Sequence, residues 1–116
     1  MEINARRVQD VLIIEMIGKL DSFWTRDAER RVLNLITNED RRILLDFGKL
    51  KYLTSMGMRF IIRTDALLRA NGGVIKVCGA NIVIKKLFKI MGFQDDIKIY
   101  DTEREAYSAF FDESKG

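Results

Sequence analysis

The sequence predicts an α/β domain built on a mostly parallel sheet, and three observations carry that prediction. Short β-rich runs alternate with helix-period segments after an initial pair of strands. One of those runs, "RILLDF", has a continuous apolar centre, as in a strand covered on both faces. Glycine-containing stops close the segments that read as helices. The expected order is β-β-α-β-α-β-α-β-α, with about five strands, about four helices and right-handed crossovers.

Each element has its own local reason. "EINARRV" and "VLIIEMIG" are separated by Gln9-Asp10 and read as a hairpin. In "KLDSFWTRDAERRVLNLIT", Asp21 or Ser22 can cap a helix on which Trp24, Ala28, Val32, Leu35 and Ile36 recur at helical spacing. The adjacent Phe23 and Trp24 cannot both face a core, so one ring is expected at the surface. A helix from about Ser55 to Ala70 ends at Asn71-Gly72-Gly73. "VIKVC" is a strand, "NIVIKKLFKIM" a helix closed by Gly92, "IKIY" a short strand and "DTEREAYSAFF" a last helix opened by Asp101 or Thr102.

Composition bounds the function. With 116 residues, 47% hydrophobic and 32% charged, the chain has the make-up of one globular domain over 1–116. Histidine is absent, which removes Ser-His and Cys-His dyads, His metal ligands and His proton shuttles. The one cysteine, Cys78, lies in an apolar run and reads as a small buried hydrophobe. Net charge is +3 with the signs interleaved. The compact group Lys85, Lys86 and Lys89 reads as the solvated face of a helix rather than a nucleic-acid track. No apolar run approaches a membrane span and the N-terminus lacks a signal-peptide core, so a soluble, cytoplasmic chain without membrane insertion is expected.

The segment "KYLTSMGMRF" raises the functional question. Thr54 and Ser55 stand between a strand and a helix, where open parallel sheets place function. A hydroxyl there can cap the helix, act as a nucleophile, or be modified. A cap uses one hydroxyl and leaves the second unexplained. "TSMG" is neither a G-x-S-x-G elbow nor a phosphate-binding loop, and no histidine can activate the serine. Projection of the following helix places Gly57, Phe60, Ile61, Thr64, Leu67 and Leu68 toward the sheet. It places Met58, Ile62 and Ala66 outward among Arg59, Arg63, Asp65 and Arg69. Such a strip serves either to dock a partner or to pack under a neighbouring element.

The pattern as a whole resembles the STAS domain, and within it the bacterial anti-sigma-factor antagonists. "MIGKLDSFW" is similar to the family's G-x-L-D strand ending, with Gly18, Leu20 and Asp21 in place. "ILLDFGKLKYLTSMGMRFII" resembles its signature of a strand ending in Asp, a loop, then D-S-[ST]-G-[LIVM] opening a helix. Asp46, Ser55, Gly57 and Met58 match; Thr54 stands where the family has Asp, and Met56 where it has Ser or Thr. "NGGVIKVCGANIVIKKLFKIMGFQDDIKIYDTEREA" resembles the remainder.

The resemblance implies a non-enzymatic switch that needs no metal or other cofactor of its own. Unphosphorylated, it would bind an anti-sigma factor that is also a serine kinase, freeing a sigma factor. Phosphorylation at Ser55, or alternatively Thr54, would end the association, and a serine phosphatase would restore it. The implied partner surface comprises Asp21, Thr54, Ser55, Met56, Gly57, Met58, Arg59, Ile62 and Arg63. Two other readings stand beside it: a scaffold subunit of a lipid-transport or stress-sensing complex, and a small-ligand or nucleotide-binding module using the helix N-terminus.

Overall fold

The computed structural model describes residues 1–112; residues 113–116 of the expected 1–116 domain lie outside the described residues. The elements are β1 (Glu2–Val8), β2 (Val11–Leu20), α1 (Thr25–Leu35), β3 (Arg42–Asp46), β4 (Leu50–Leu53), α2 (Ser55–Ala70), β5 (Val74–Cys78), α3 (Ile82–Ile90), β6 (Lys98–Tyr100) and α4 (Glu103–Phe111). The sheet runs β1-β2-β3-β5-β6, and β4 pairs with β2 off this path. β1 and β2 form the expected antiparallel hairpin across Gln9-Asp10. Every other pairing is parallel.

Alternation along the strands sends side chains into two cores. Leu12, Ile14, Ile43, Leu45, Ile75 and Val77 face α1, α2 and α3 and pack with Val32, Phe60, Ile61 and Phe88. Val11, Ile13, Leu44 and Cys78 face the other way, under Ala106 and Phe110 of α4. β3 is therefore covered on both faces, which is why its centre is apolar without a break.

The sheet has six strands where about five were expected. The extra one, β4, has only four residues, with Leu50 and Leu53 buried and Lys51 and Tyr52 exposed. It continues the parallel pairing of β2 past a register shift at Gly18/Lys19. So short a run carries too little pattern to separate from a loop.

Two helices sit differently from their sequence projections. The buried stripe of α1 begins at Thr25 rather than Trp24, which is 38% exposed. On α2 the buried arc is wider than the sheet-facing side: Met58 and Asp65, expected outward, are buried, and Leu67, expected inward, is 57% exposed. α2 packs against α1 as well as β4 and β5, so its covered arc extends around the helix. The C-terminus of α2 stops as expected. Gly72 takes φ +80°, and Gly73 N–H reaches the Leu68 carbonyl at 2.7 Å while Gly72 N–H reaches that of Arg69 at 3.1 Å. That is the glycine-closed helix end.

Buried Asp65 is held by Arg69, one turn on, with Nε 2.9 Å from Oδ2. Arg69 also donates to the Asp96 carbonyl in the connection before β6. Asp65 Oδ1 has no hydrogen-bond partner among the described residues. Burial, reinforced by the nearby Asp96 charge, holds this carboxyl above the usual 3.8 even though Arg69 pulls it down. A raised folded-state value adds stability below the unfolded pKa that is lost as pH rises through the folded one. Asp65→Asn has no such proton to lose. Its melting temperature should therefore improve relative to wild type as pH is raised from about 3 to about 7. Parallel melting profiles for the two proteins would contradict the assignment.

Candidate partner-binding site

β2 and β4 end side by side, with Leu20 in register with Leu53. β5 ends level with Asp46 and Glu15, nearer the start of β4, and a connection leaves from each of the three strands. After β2, Asp21 Oδ1 accepts from the backbone N–H groups of Phe23 and Trp24, both at 3.0 Å. This turn delivers the chain into α1, and the Thr25 hydroxyl closes it by donating to the Asp21 carbonyl at 2.5 Å. The N-cap of α1 is Trp24, with no side-chain cap hydrogen bond, so neither Asp21 nor Ser22 caps the helix as expected. Asp21 instead ties down the turn ahead of it, because the helix starts two or three residues later than its pattern suggested. Held this way, Phe23 projects 80% exposed, edge-on to Trp24 with ring centroids 5.0 Å apart.

After β4, the two hydroxyls take different roles. Thr54 is extended (φ −89°, ψ 174°) and is the N-cap of α2. Its Oγ1 accepts from Gly57 N–H at 3.4 Å, and its carbonyl accepts from Met58 N–H at 2.9 Å. Its own N–H donates to the Leu20 carbonyl at 3.0 Å, tying the start of α2 to the end of β2. Ser55 is the first residue of the helix and is exposed. No side-chain hydrogen bond among the described residues engages its hydroxyl. The cap consumes Thr54 and leaves Ser55 free.

Gly57 makes this arrangement possible. A Cβ there would sit 3.0 Å from the Leu20 carbonyl oxygen and 3.1 Å from Leu20 Cγ. A Cβ would have to push Leu20 or the first turn of α2 aside by a few tenths of an ångström, so glycine permits this approach without strain.

Beside Ser55, a groove of about 210 Å³ runs between α1 and α2, lined by Thr25, Arg26, Glu29, Met56, Arg59 and Arg63. Arg63 bridges to Glu29 at 2.9 Å across the two helices. Met56 is 41% exposed. After β5, Asn81 caps α3 by accepting from Ile84 N–H at 3.0 Å, and its amide donates to the Lys51 carbonyl at 2.9 Å. Pinned to β4 in this way, α3 starts with Ile82 and Val83, each more than 60% exposed.

Of the expected surface residues, Asp21, Thr54, Ser55, Met56, Arg59 and Arg63 come together at this end of the molecule. Met58 does not: its side chain is fully buried in the main core, so it cannot meet a partner. Gly57 is buried against Leu20, and Ile62 is half-buried against the same core. The outward apolar strip of Met58 and Ile62 is therefore chiefly packing. Exposed apolar groups on these connections are instead Phe23 after β2, Met56 beside Ser55, and Ile82 and Val83 after β5. For the last two the sequence held a signal, since Asn81 caps a helix whose first residues are aliphatic. Cys78 is buried as expected, and burial, with Asp46 close by, pushes its thiol up to about 12. Among the described residues, no group of His, Cys, Asp or Glu is placed to hold a metal ion.

The division of roles has a direct test in the folding of single variants. Thr54→Ala should lower stability by about 0.5–1 kcal/mol, the worth of a long N-cap hydrogen bond. Ser55→Ala should change it by no more than about 0.5 kcal/mol, as for a surface substitution. Urea unfolding followed by Trp24 fluorescence measures both, and the reverse order would show that Ser55 caps the helix.

Comparison with known proteins agrees with this architecture. The family model described as the STAS domain matches residues 2–106. BtrV of Bordetella bronchiseptica, described as an anti-sigma factor antagonist, is 24% identical over 110 residues, covering 95% of each chain. Among solved structures, an anti-sigma factor antagonist from Thermotoga maritima superposes with a TM-score of 0.87 at 19% identity, over 92% of each chain. The anti-sigma factor antagonist SpoIIAA in its unphosphorylated form gives 0.77 at 20% identity, over 99% of this chain and 97% of that one. Its phosphorylated form gives 0.72 at 18% identity, over 94% and 99%. These structural likenesses are likenesses of fold. With the family match spanning all six strands and running into the last helix, the chain belongs to the STAS domain family.

Proposed function

We propose that this chain is an anti-sigma-factor antagonist whose binding is switched by phosphorylation of Ser55. The observation that carries the reading is the separation of the two hydroxyls: Thr54 is spent on the helix cap, and Ser55 is exposed and unbonded on the same turn. The replacement of the family's Asp by Thr54 fits this reading, because Asp and Thr are both good N-cap residues. Ser55 keeps the position of the family's phosphorylatable serine.

In this account the unphosphorylated protein docks through the carboxyl-end surface onto an anti-sigma factor that is also a serine kinase. Asp21 holds the neighbouring turn, Phe23, Met56, Ile82 and Val83 supply apolar contact, and Arg59 and Arg63 supply charge beside it. The kinase provides the nucleotide and metal, and transfers the phosphoryl group to Ser55 Oγ. The product carries about −1.5 to −2 charge at a surface that must lose water to bind. Release follows, and a separate serine phosphatase resets the protein. The partners of such a protein act in the cytoplasm.

Variants at Ser55 test the switch. Ser55→Ala should bind the anti-sigma factor as wild type does, within about threefold, and accept no phosphate. Ser55→Asp should weaken binding by about tenfold or more, since it leaves a carboxylate to be desolvated in the interface. Equal affinities for wild type, Ala and Asp in a titration would remove the switch.

A further inference from the structure

The open edge of β1 has a feature that the switch does not use. β1 is seven residues long, contains no proline and pairs with β2 without a register shift. It is the outermost strand on its side of the sheet, and the opposite edge, β6, has only three residues. A long, regular edge strand is a template for another strand.

The hairpin fixes which backbone groups are available. Val8 and Val11 flank a two-residue turn with Gln9 at φ 52°, and so form a hydrogen-bonded pair. Alternation then turns the N–H and C=O groups of Glu2, Asn4, Arg6 and Val8 toward β2. Those of Ile3, Ala5 and Arg7 point to the open edge, and no turn, loop or cap hydrogen bond reaches them.

We infer that this edge pairs with β1 of a second copy, antiparallel about Asn4, to join two sheets into one. In that register Glu2 lies opposite the second copy's Arg6, Ile3 opposite its Ala5, and Asn4 opposite its Asn4. Ile3 and Ala5 both offer free backbone groups, so they form the hydrogen-bonded pairs. Glu2 and Arg6 fall at the non-hydrogen-bonded sites, where Cα atoms come within about 4.5 Å and side chains meet. Two-fold symmetry makes the Glu2–Arg6 and Ile3–Ala5 contacts twice, on either side of Asn4 at the axis, as a closed dimer requires. Arg6 already reaches Glu103 on the same face, and a guanidinium has donors enough to hold both carboxylates.

Charge selects this register over its neighbour. Centring the pair on Ala5 sets Glu2 against Val8, Ile3 against Arg7 and Asn4 against Arg6, leaving both arginines without an acid across the seam. Acid, aliphatic, Asn, Ala and base, read from Glu2 to Arg6, are complementary to their own reverse. The contact is narrow beside the roughly 1,200–2,000 Å² of a stable interface, so the dimer forms with concentration and is in exchange with monomer.

Sedimentation equilibrium on the full chain, from micromolar to about millimolar, tests this. Wild type should pass from monomer to dimer, with Glu2→Arg and Arg6→Glu each weakening association by about tenfold or more. The double variant E2R/R6E restores the opposite-charge pairs and should associate as wild type does. Ala5→Pro should stay monomeric while melting near the wild-type temperature, because the Ala5 N–H faces the open edge and not β2. If Ala5→Pro fails to fold, the charge-reversal set decides. A wild type that remains monomeric throughout, or a double variant no better than its parent single variants, overturns the inference.

Discussion

The carboxyl end of this sheet depends on how closely the first turn of α2 approaches the end of β2. Leu20 is the meeting point: its carbonyl accepts from Thr54 N–H, and Gly57 rests against it so closely that a methyl group would be crowded. The contact sets the height of α2 above the sheet. At that height Met58, Phe60 and Ile61 reach the main core, Thr54 stands where it caps the helix, and Ser55 is left on the outer side. A side chain at 57 would press on Leu20 and strain this approach, so one close contact links the core to the surface that the function would use.

The surface around Ser55 is suited to being switched by charge. Exposed apolar side chains stand on three separate connections, each fixed by a polar side chain that accepts from backbone N–H groups: Asp21 in the turn before α1, and the caps Thr54 of α2 and Asn81 of α3. Polar side chains are spent internally on backbone N–H groups, which leaves Phe23, Met56, Ile82 and Val83 to face outward. In the proposed complex the partner covers Ser55 together with exposed groups of this kind. A neutral hydroxyl is inexpensive to desolvate there, and a phosphate is not. Capping thus links helix initiation to the chemistry of the surface.

Much of this was legible in the sequence, because the strongest signals are local. The apolar run of β3, the Gly72-Gly73 stop of α2 and the two-residue hairpin turn each arise from neighbouring residues, and each element lies where its pattern put it. What the sequence left hidden comes from contacts distant in the chain. β4 is too short to show a period, and it is a strand because β2 continues alongside it. Met58 projects outward on an isolated helix, yet α2 is covered by α1 as well as by the sheet. The Thr54–Ser55 pair was visible as a question only. Its answer needed Thr54 to be placed against Leu20 and Gly57, and the role of Ile82 and Val83 needed Asn81 to be seen tied to the Lys51 carbonyl.

The central claim is that Ser55, and not Thr54, is free to be modified. Phosphopeptide mapping of the protein isolated from its own cells, in growth and under stress, tests it most directly. The account predicts phosphate on Ser55 in an amount that changes with condition, and none on Thr54. Phosphate on Thr54, or an unmodified segment under every condition, would contradict it, and in the second case the scaffold role would take its place.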